Sequence, residues 1–148
     1  MNIKLISPQF LNVGLLISIG IHFLFPIHII VTFPCTIFGL ILILLGLSIN
    51  IWSVRELKRN NTTIDFKKIA IKLVITGPFS ISRNPIYLSG VILSLGFSIF
   101  LGSLSMFLFP VVLLLILNFC YIPVEETKLE ETFGEKYLIY KKRVRRWI

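Results

Sequence analysis

Two short blocks hold the residues of this chain that could do chemistry. The first is Leu73-Val74, Gly77 and Phe79, followed by Arg83-Asn84-Pro85 and Tyr87. The second is Glu125-Glu126, followed by Leu129, Phe133-Gly134, Tyr137 and Tyr140. An apolar, uncharged stretch separates them. If that stretch is a helical hairpin in a membrane, its two ends are neighbours, and Arg83 meets the paired glutamates at the membrane surface. Polar chemistry then sits beside a lipid phase. Each residue alone has a plainer use. Asn84-Pro85 is a helix start, with Asn at the cap and Pro at the first helical position. Arg83 suits an interfacial anchor and Tyr87 an aromatic belt. Glutamates at a helix N-terminus complement the macrodipole. Their conjunction at both ends of one hairpin is what needs explaining.

The elements that must position these blocks follow from the charge pattern. Arg55 to Arg83 carries seven Lys/Arg and two acids, and Glu125 to Arg146 carries seven Lys/Arg and five acids. Residues 5–54 and 84–124 contain no Lys, Arg, Asp or Glu. As helices these stretches would be about 75 and 60 Å long, against a hydrocarbon core of about 30 Å. Each is long enough to cross, turn and cross back, which returns both charged segments to one face.

A chain of 148 residues allows one domain, here 1–148. Hydrophobic content of 55% and mean hydropathy of +0.89 exclude an ordinary soluble domain of this size. The formal charge of +8 sits mainly in the two segments. The positive-inside rule then makes both segments and both termini cytoplasmic. These charges set topology and touch anionic headgroups; nucleic acid is not an expected partner. Cys35 and Cys120 both lie in apolar runs and suggest neither a disulfide framework nor a metal site. The N-terminal apolar run has no clear polar break and reads as a retained first span.

The expected architecture is all-α, with four transmembrane helices and a cytosolic C-terminal helical segment. Span one covers roughly 10–25, with a tight outer turn at Pro26 and His28. Span two covers roughly 29–52, and its helix continues to Arg59 before Asn60-Asn61-Thr62-Thr63 breaks it. Residues 65–74 read as a short amphipathic surface segment, and Thr76-Gly77-Pro78 as a turn. Span three opens at Asn84-Pro85 and runs to about 101. Gly102-Ser103 makes a tight turn into span four, 104–122, which Pro123 ends. In the tail, Leu129, Phe133, Tyr137, Tyr140, Val144 and Trp147 recur at helical spacing, with Gly134 dividing two helices. Lys141, Lys142, Arg143, Arg145 and Arg146 are expected to face headgroups or solvent.

Residues 72–148 resemble the isoprenylcysteine carboxyl methyltransferase and phospholipid methyltransferase superfamily of small integral-membrane enzymes. The first block matches as Leu73-Val74, Gly77, Phe79, Arg83-Asn84-Pro85 and Tyr87. The second matches as Glu125-Glu126, Leu129, Phe133-Gly134, Tyr137 and Tyr140. The resemblance implies an S-adenosylmethionine-dependent methyltransferase whose cofactor pocket is built from both blocks. Leu73, Val74, Phe79, Asn84, Pro85, Tyr87 and Glu125 would contact the cofactor. Arg83 and Glu126 are the expected catalytic pair. A glutamate can accept hydrogen bonds from ribose hydroxyls or an amino group, and aromatic rings suit adenine and a sulfonium cation. A lipophilic or lipidated substrate would enter from the bilayer, and no metal is implied.

The chain departs from the prenylcysteine pattern at three positions. Asn84 replaces a histidine, Phe79 replaces a tyrosine, and Tyr121 stands where those enzymes hold a substrate carboxylate with arginine. Tyr121 is therefore the expected substrate-facing residue, and an amine or other lipid head group is as plausible as a carboxylate. Two other readings stay open: an NADPH-dependent membrane reductase of the steroid/sterol type, and a non-enzymatic membrane scaffold.

Overall fold

In the computed structural model, residues 9–25, 27–62 and 72–148 are described. The chain forms α1 (Gln9–Leu24), α2 (Thr36–Arg59), a 3-10 turn (Gly77–Ser80), α3 (Pro85–Leu101) and α4 (Leu104–Ile116). A π-helical turn (Leu117–Tyr121), α5 (Ile122–Phe133) and α6 (Glu135–Arg143) complete it. No strand forms among the described residues, beyond one isolated bridge between Ile29 and Ser103. The amphipathic segment expected at 65–74 lies, apart from its last three residues, outside the described residues.

Two helices are long and apolar enough to cross a membrane: Thr36–Arg59 and the continuous helix Leu104–Phe133. The other two apolar helices, α1 and α3, have 16 and 17 residues. At 1.5 Å per residue they reach about 24 and 26 Å, slightly short of a full hydrocarbon core.

Burial is inverted relative to a water-soluble protein. Phe33, Leu24, Phe23 and Phe119 are among many large apolar side chains more than two-thirds exposed. Ser53, Ser89, Ser94, Ser98 and Ser103 are buried almost completely. That is the packing of helices whose solvent is itself apolar: small residues go inside and large ones face outward. The serine hydroxyls are satisfied locally, as in Ser53 to the Ile49 carbonyl (2.7 Å) and Ser98 to the Ser94 and Met106 carbonyls (2.8 Å each).

The tightest helix pair is α2 on α3. A Cβ on Gly39 would lie 2.4 Å from the Phe100 amide nitrogen, and one on Gly96 would lie 2.8 Å from that of Ile43. Only glycine permits this approach. Deeper along the pair, Asn50 donates to Ser89 at 3.0 Å. At one end of the bundle the segment after α1 packs on the α3–α4 turn: Ile30 N–H donates to the Gly102 carbonyl at 2.8 Å. His22 Nδ1 lies 2.7 Å from Ser103 Oγ at the same end. The C-terminus of α2, the start of α3 and the paired glutamates therefore gather at the other end.

Three expectations need correction. The segment expected to open span two is irregular until Thr36, where α2 begins. Pro123 does not end the fourth helix. The preceding π turn widens the helix, Pro123 falls at the start of α5, and the helix continues to Phe133. Finally, the helical spacing Tyr140, Val144, Trp147 does not extend α6. The chain leaves the helix at Val144 in extended conformation (φ −118°, ψ 132°) and doubles back. Gly134 does divide two helices, as expected.

Candidate functional site

The approach to α3 is set by α2. Thr76 Oγ1 donates to Glu56 Oε1, and Lys72 Nζ donates to Asn60 Oδ1 at 2.9 Å. Gly77 turns at φ +61°, where an added Cβ would meet both Glu56 and the Trp52 indole at 3.3 Å. The 3-10 turn follows, with Leu73 half-buried and Val74 buried ahead of it. Phe79 offers its carbonyl to the Tyr140 hydroxyl at 2.7 Å, which joins the first block to α6. Burial pushes the Tyr140 phenol up to about 12, partly offset by nearby Arg83; burial also raises Tyr137, beside Glu126. Both phenols stay protonated, and that of Tyr140 is a donor.

At the centre, Arg83 Nη2 lies 3.0 Å from Glu126 Oε1, with side chains only 9% and 6% exposed. The other carboxylate oxygen, Glu126 Oε2, accepts from Arg146 Nη2 at 2.8 Å. Arg146 was expected to face headgroups; it turns inward because the chain doubles back after Val144. The returning strap is fixed to the start of α3 by three bonds. Arg83 N–H donates to the Arg145 carbonyl (3.0 Å), and Asn84 Nδ2 and Ser82 Oγ both donate to the Arg146 carbonyl (3.1 and 3.3 Å). Asn84 precedes α3, but its side chain caps no helical N–H. It is spent on the strap instead.

The π turn supplies another contact. The N–H of Ile122 goes to the Leu117 carbonyl, and the next residue, Pro123, has no N–H. The Asn118 carbonyl is thereby released from the helical ladder, and Arg146 Nη1 reaches it at 3.4 Å. The Asn118 side-chain oxygen accepts from Arg146 Nη1 (3.3 Å) and from Trp147 Nε1 (3.2 Å).

Glu125, one residue before Glu126, points to a different partner: the Tyr87 hydroxyl donates to its carboxylate. Tyr87 and Tyr121 lie in one buried cluster with Leu113, Leu117 and Ile122, and Trp147 packs against it. Tyr121 is thus a core residue at the end of the π turn, close enough to Tyr87 to act on it electrostatically. Pro85 is buried at the first position of α3.

The structure therefore brings together Phe79, Arg83, Asn84, Pro85, Tyr87, Tyr121, Glu125 and Glu126. Leu73 and Val74 enter only through the strand of chain leading into the turn. Sequence reasoning missed Arg146, Trp147 and Asn118. A signal existed for Asn118, the sole Asn or Gln between 85 and 124. A lone amide in an apolar span faces the bundle interior. No comparable signal marked Arg146, one of five basic residues among positions 141–146.

Among the described residues, three buried side-chain polar atoms lack a hydrogen-bond partner: Arg83 Nε, Arg83 Nη1 and Glu125 Oε2. Two donors on a buried cation and one acceptor on a buried carboxylate are costly to leave bare. All three lie in the cluster that joins the two sequence blocks, and their open valences could take a ligand with both acceptors and donors.

Residues 34–136 match the family described as phospholipid methyltransferase. An uncharacterized protein of Haemophilus influenzae is 39% identical over 62 residues, which cover 42% of this chain and 98% of that protein. The family match spans α2, the turn, the α3–α4 hairpin and both glutamates: the chain belongs to the phospholipid methyltransferase family.

Proposed function

We propose that this protein is an S-adenosylmethionine-dependent methyltransferase that acts on a lipid-like acceptor at the cytoplasmic face of a membrane. The observation that carries the reading is the set of bare, buried atoms on Arg83 and Glu125, inside a cluster of the phospholipid methyltransferase family. They fit the cofactor's chemistry. A guanidinium with two open donors can hold the carboxylate of its amino-acid end. The open Glu125 oxygen can accept from ribose hydroxyls or an amino group. Tyr87 holds the other side of that carboxylate, and Phe79 and Tyr87 offer rings for flat or cationic groups. Leu73, Val74, Asn84 and Pro85 complete the wall.

When bound, the cofactor supplies a methyl group on a sulfonium. The chain's own task is placement. Glu126, held by Arg83 and Arg146, sets the position of both guanidiniums and serves as a positioning residue. Arg83 touches the cofactor directly. Burial excludes water, and fixed donors hold the two reactants in line, which is the main source of acceleration open to such a site. As the acceptor's bond to the methyl carbon forms, the sulfonium's carbon–sulfur bond would break to leave a neutral thioether, and the acceptor's proton would pass to water at the cytoplasmic face. With both charged segments cytoplasmic, the polar cofactor enters from water and the acceptor from the bilayer.

Calorimetry of the detergent-solubilised chain tests this reading. Saturable binding of S-adenosylmethionine and of its demethylated product is expected. Binding of NADPH with no response to either would replace it with a reductase.

A further inference from the structure

An open groove of about 530 Å³ runs between α3 and the helix formed by α4 and the π turn. Its walls are Leu88, Val91, Leu115 and Phe119. Asn118 and Trp147 form its polar end, and both belong to the Arg146 unit described above. The groove is thus lined by Asn118, whose side-chain oxygen accepts from both Trp147 and the Arg146 guanidinium.

That guanidinium is less used than its neighbour's position suggests. The Arg146 side chain is 32% exposed, against 9% for Arg83. Three of its four contacts are 3.3 Å or longer; only the bond to Glu126 Oε2 is short. A guanidinium carries five N–H donors; these contacts engage four of them, and one on Nη2 remains for another acceptor. Two guanidiniums share the single Glu126 carboxylate. Lys141, Lys142, Arg143 and Arg145 lead into it along the same stretch of chain.

We propose that Arg146, with Asn118, grips the phosphodiester of the acceptor phospholipid while one acyl chain lies in the groove beneath Trp147. This deepens the functional reading above and rests on it. The remaining Nη2 hydrogen can donate a charge-assisted bond to a phosphate oxygen. Tryptophan suits the boundary between apolar chain and polar head. Glu126 joins Arg146 to Arg83, so the gripped phosphate stands one carboxylate away from the bare atoms assigned to the cofactor.

Fluorescence quenching tests the proposal without any cofactor. Trp52→Phe leaves Trp147 as the single tryptophan of the chain. Phosphatidylethanolamine and diacylglycerol, each with brominated chains, are titrated into the detergent-solubilised protein. The phospholipid should quench Trp147 at about one-tenth the concentration the diacylglycerol needs, as a charge-assisted head-group contact implies. Arg146→Gln should erase that preference, and Arg146→Lys should keep part of it. Leu115→Phe narrows the groove at a half-exposed wall and should weaken both lipids alike. If Arg146→Gln fails to fold, the Lys and Leu115 variants decide. Equal quenching by the two lipids overturns the proposal, as does a preference that survives in Arg146→Gln. Stronger displacement by a farnesylcysteine carboxylate than by unlabelled phosphatidylethanolamine also overturns it. A head-group preference without S-adenosylmethionine binding would sink the methyltransferase reading alone; cofactor binding without the preference would sink only this proposal.

Discussion

Arg146 Nη2 lies 2.8 Å from Glu126 Oε2, while Arg83 holds the other oxygen of the same carboxylate at 3.0 Å. One buried side chain thereby ties the end of the chain to the start of α3 and to α5. Residues 144–148, which pack on this cluster, lie beyond the residues that match the family. Removing Glu126 would strand two cations; removing Arg146 would leave Glu126 with one.

Glu125→Gln should weaken S-adenosylmethionine binding more than Lys142→Gln. Glu125 has a bare buried oxygen, while Lys142 is exposed on α6. A charge-assisted hydrogen bond contributes about 1.5–3 kcal/mol, or about ten- to a hundredfold in affinity. A surface charge contributes under about 0.5 kcal/mol. Titration calorimetry of both variants checks the order, and equal losses would mean the pocket lies elsewhere.

Gly39→Ala should destabilise the bundle, and Gly20→Ala should not. At Gly39 the new methyl meets backbone of α3 at 2.4 Å, so α2 and α3 must move apart; at Gly20 nothing lies within 4 Å. Overpacking of this kind costs about 1–3 kcal/mol. Thermal unfolding in detergent should separate the two variants by several degrees, and matching melting temperatures would contradict the close α2–α3 approach.

Tyr140→Phe should cost about 0.5–1.5 kcal/mol, because the Phe79 carbonyl loses its donor at 2.7 Å. The same bond predicts an alkaline limit. The folded-state phenol is raised from 10.0 to about 12, so its contribution is complete below pH 10 and fades as pH rises toward 12. The variant should lose stability less steeply than the parent across that window. Parallel pH profiles would remove Tyr140 from the account.

Both charged segments should lie on the cytoplasmic side. Cys35 and Cys120 are exposed, so both are first replaced by alanine. A cysteine at the exposed positions Lys58 or Glu135 should then react with an impermeant maleimide only in inverted vesicles, and one at Thr32 only in intact cells. Labelling of Lys58→Cys or Glu135→Cys from outside would refute four crossings.

Much of this arrangement was legible in the sequence because it rests on local signals. Asn84-Pro85 marked the start of α3, Gly102-Ser103 its turn and Gly134 the break between α5 and α6. The pairing of Arg83 with the glutamates followed from one hairpin returning to its own side. What stayed hidden depends on contacts distant in sequence. Pro123 reads as a helix stop because proline lacks an N–H, yet a π turn just before it lets the helix continue and frees the Asn118 carbonyl. Arg146 reads as one more surface charge because nothing local announces that the chain reverses at Val144. Asn84 reads as a cap, and only the returning strap shows where its amide is spent.

The central claim is that the Arg83–Glu125–Glu126 cluster binds S-adenosylmethionine, and calorimetry on the parent chain beside Arg83→Gln tests it most directly. The account predicts saturable binding by the parent and a loss of about tenfold or more in Arg83→Gln, the measure of a charge-assisted contact. Undiminished binding in Arg83→Gln, or a parent that ignores S-adenosylmethionine and its product while binding NADPH, would contradict it.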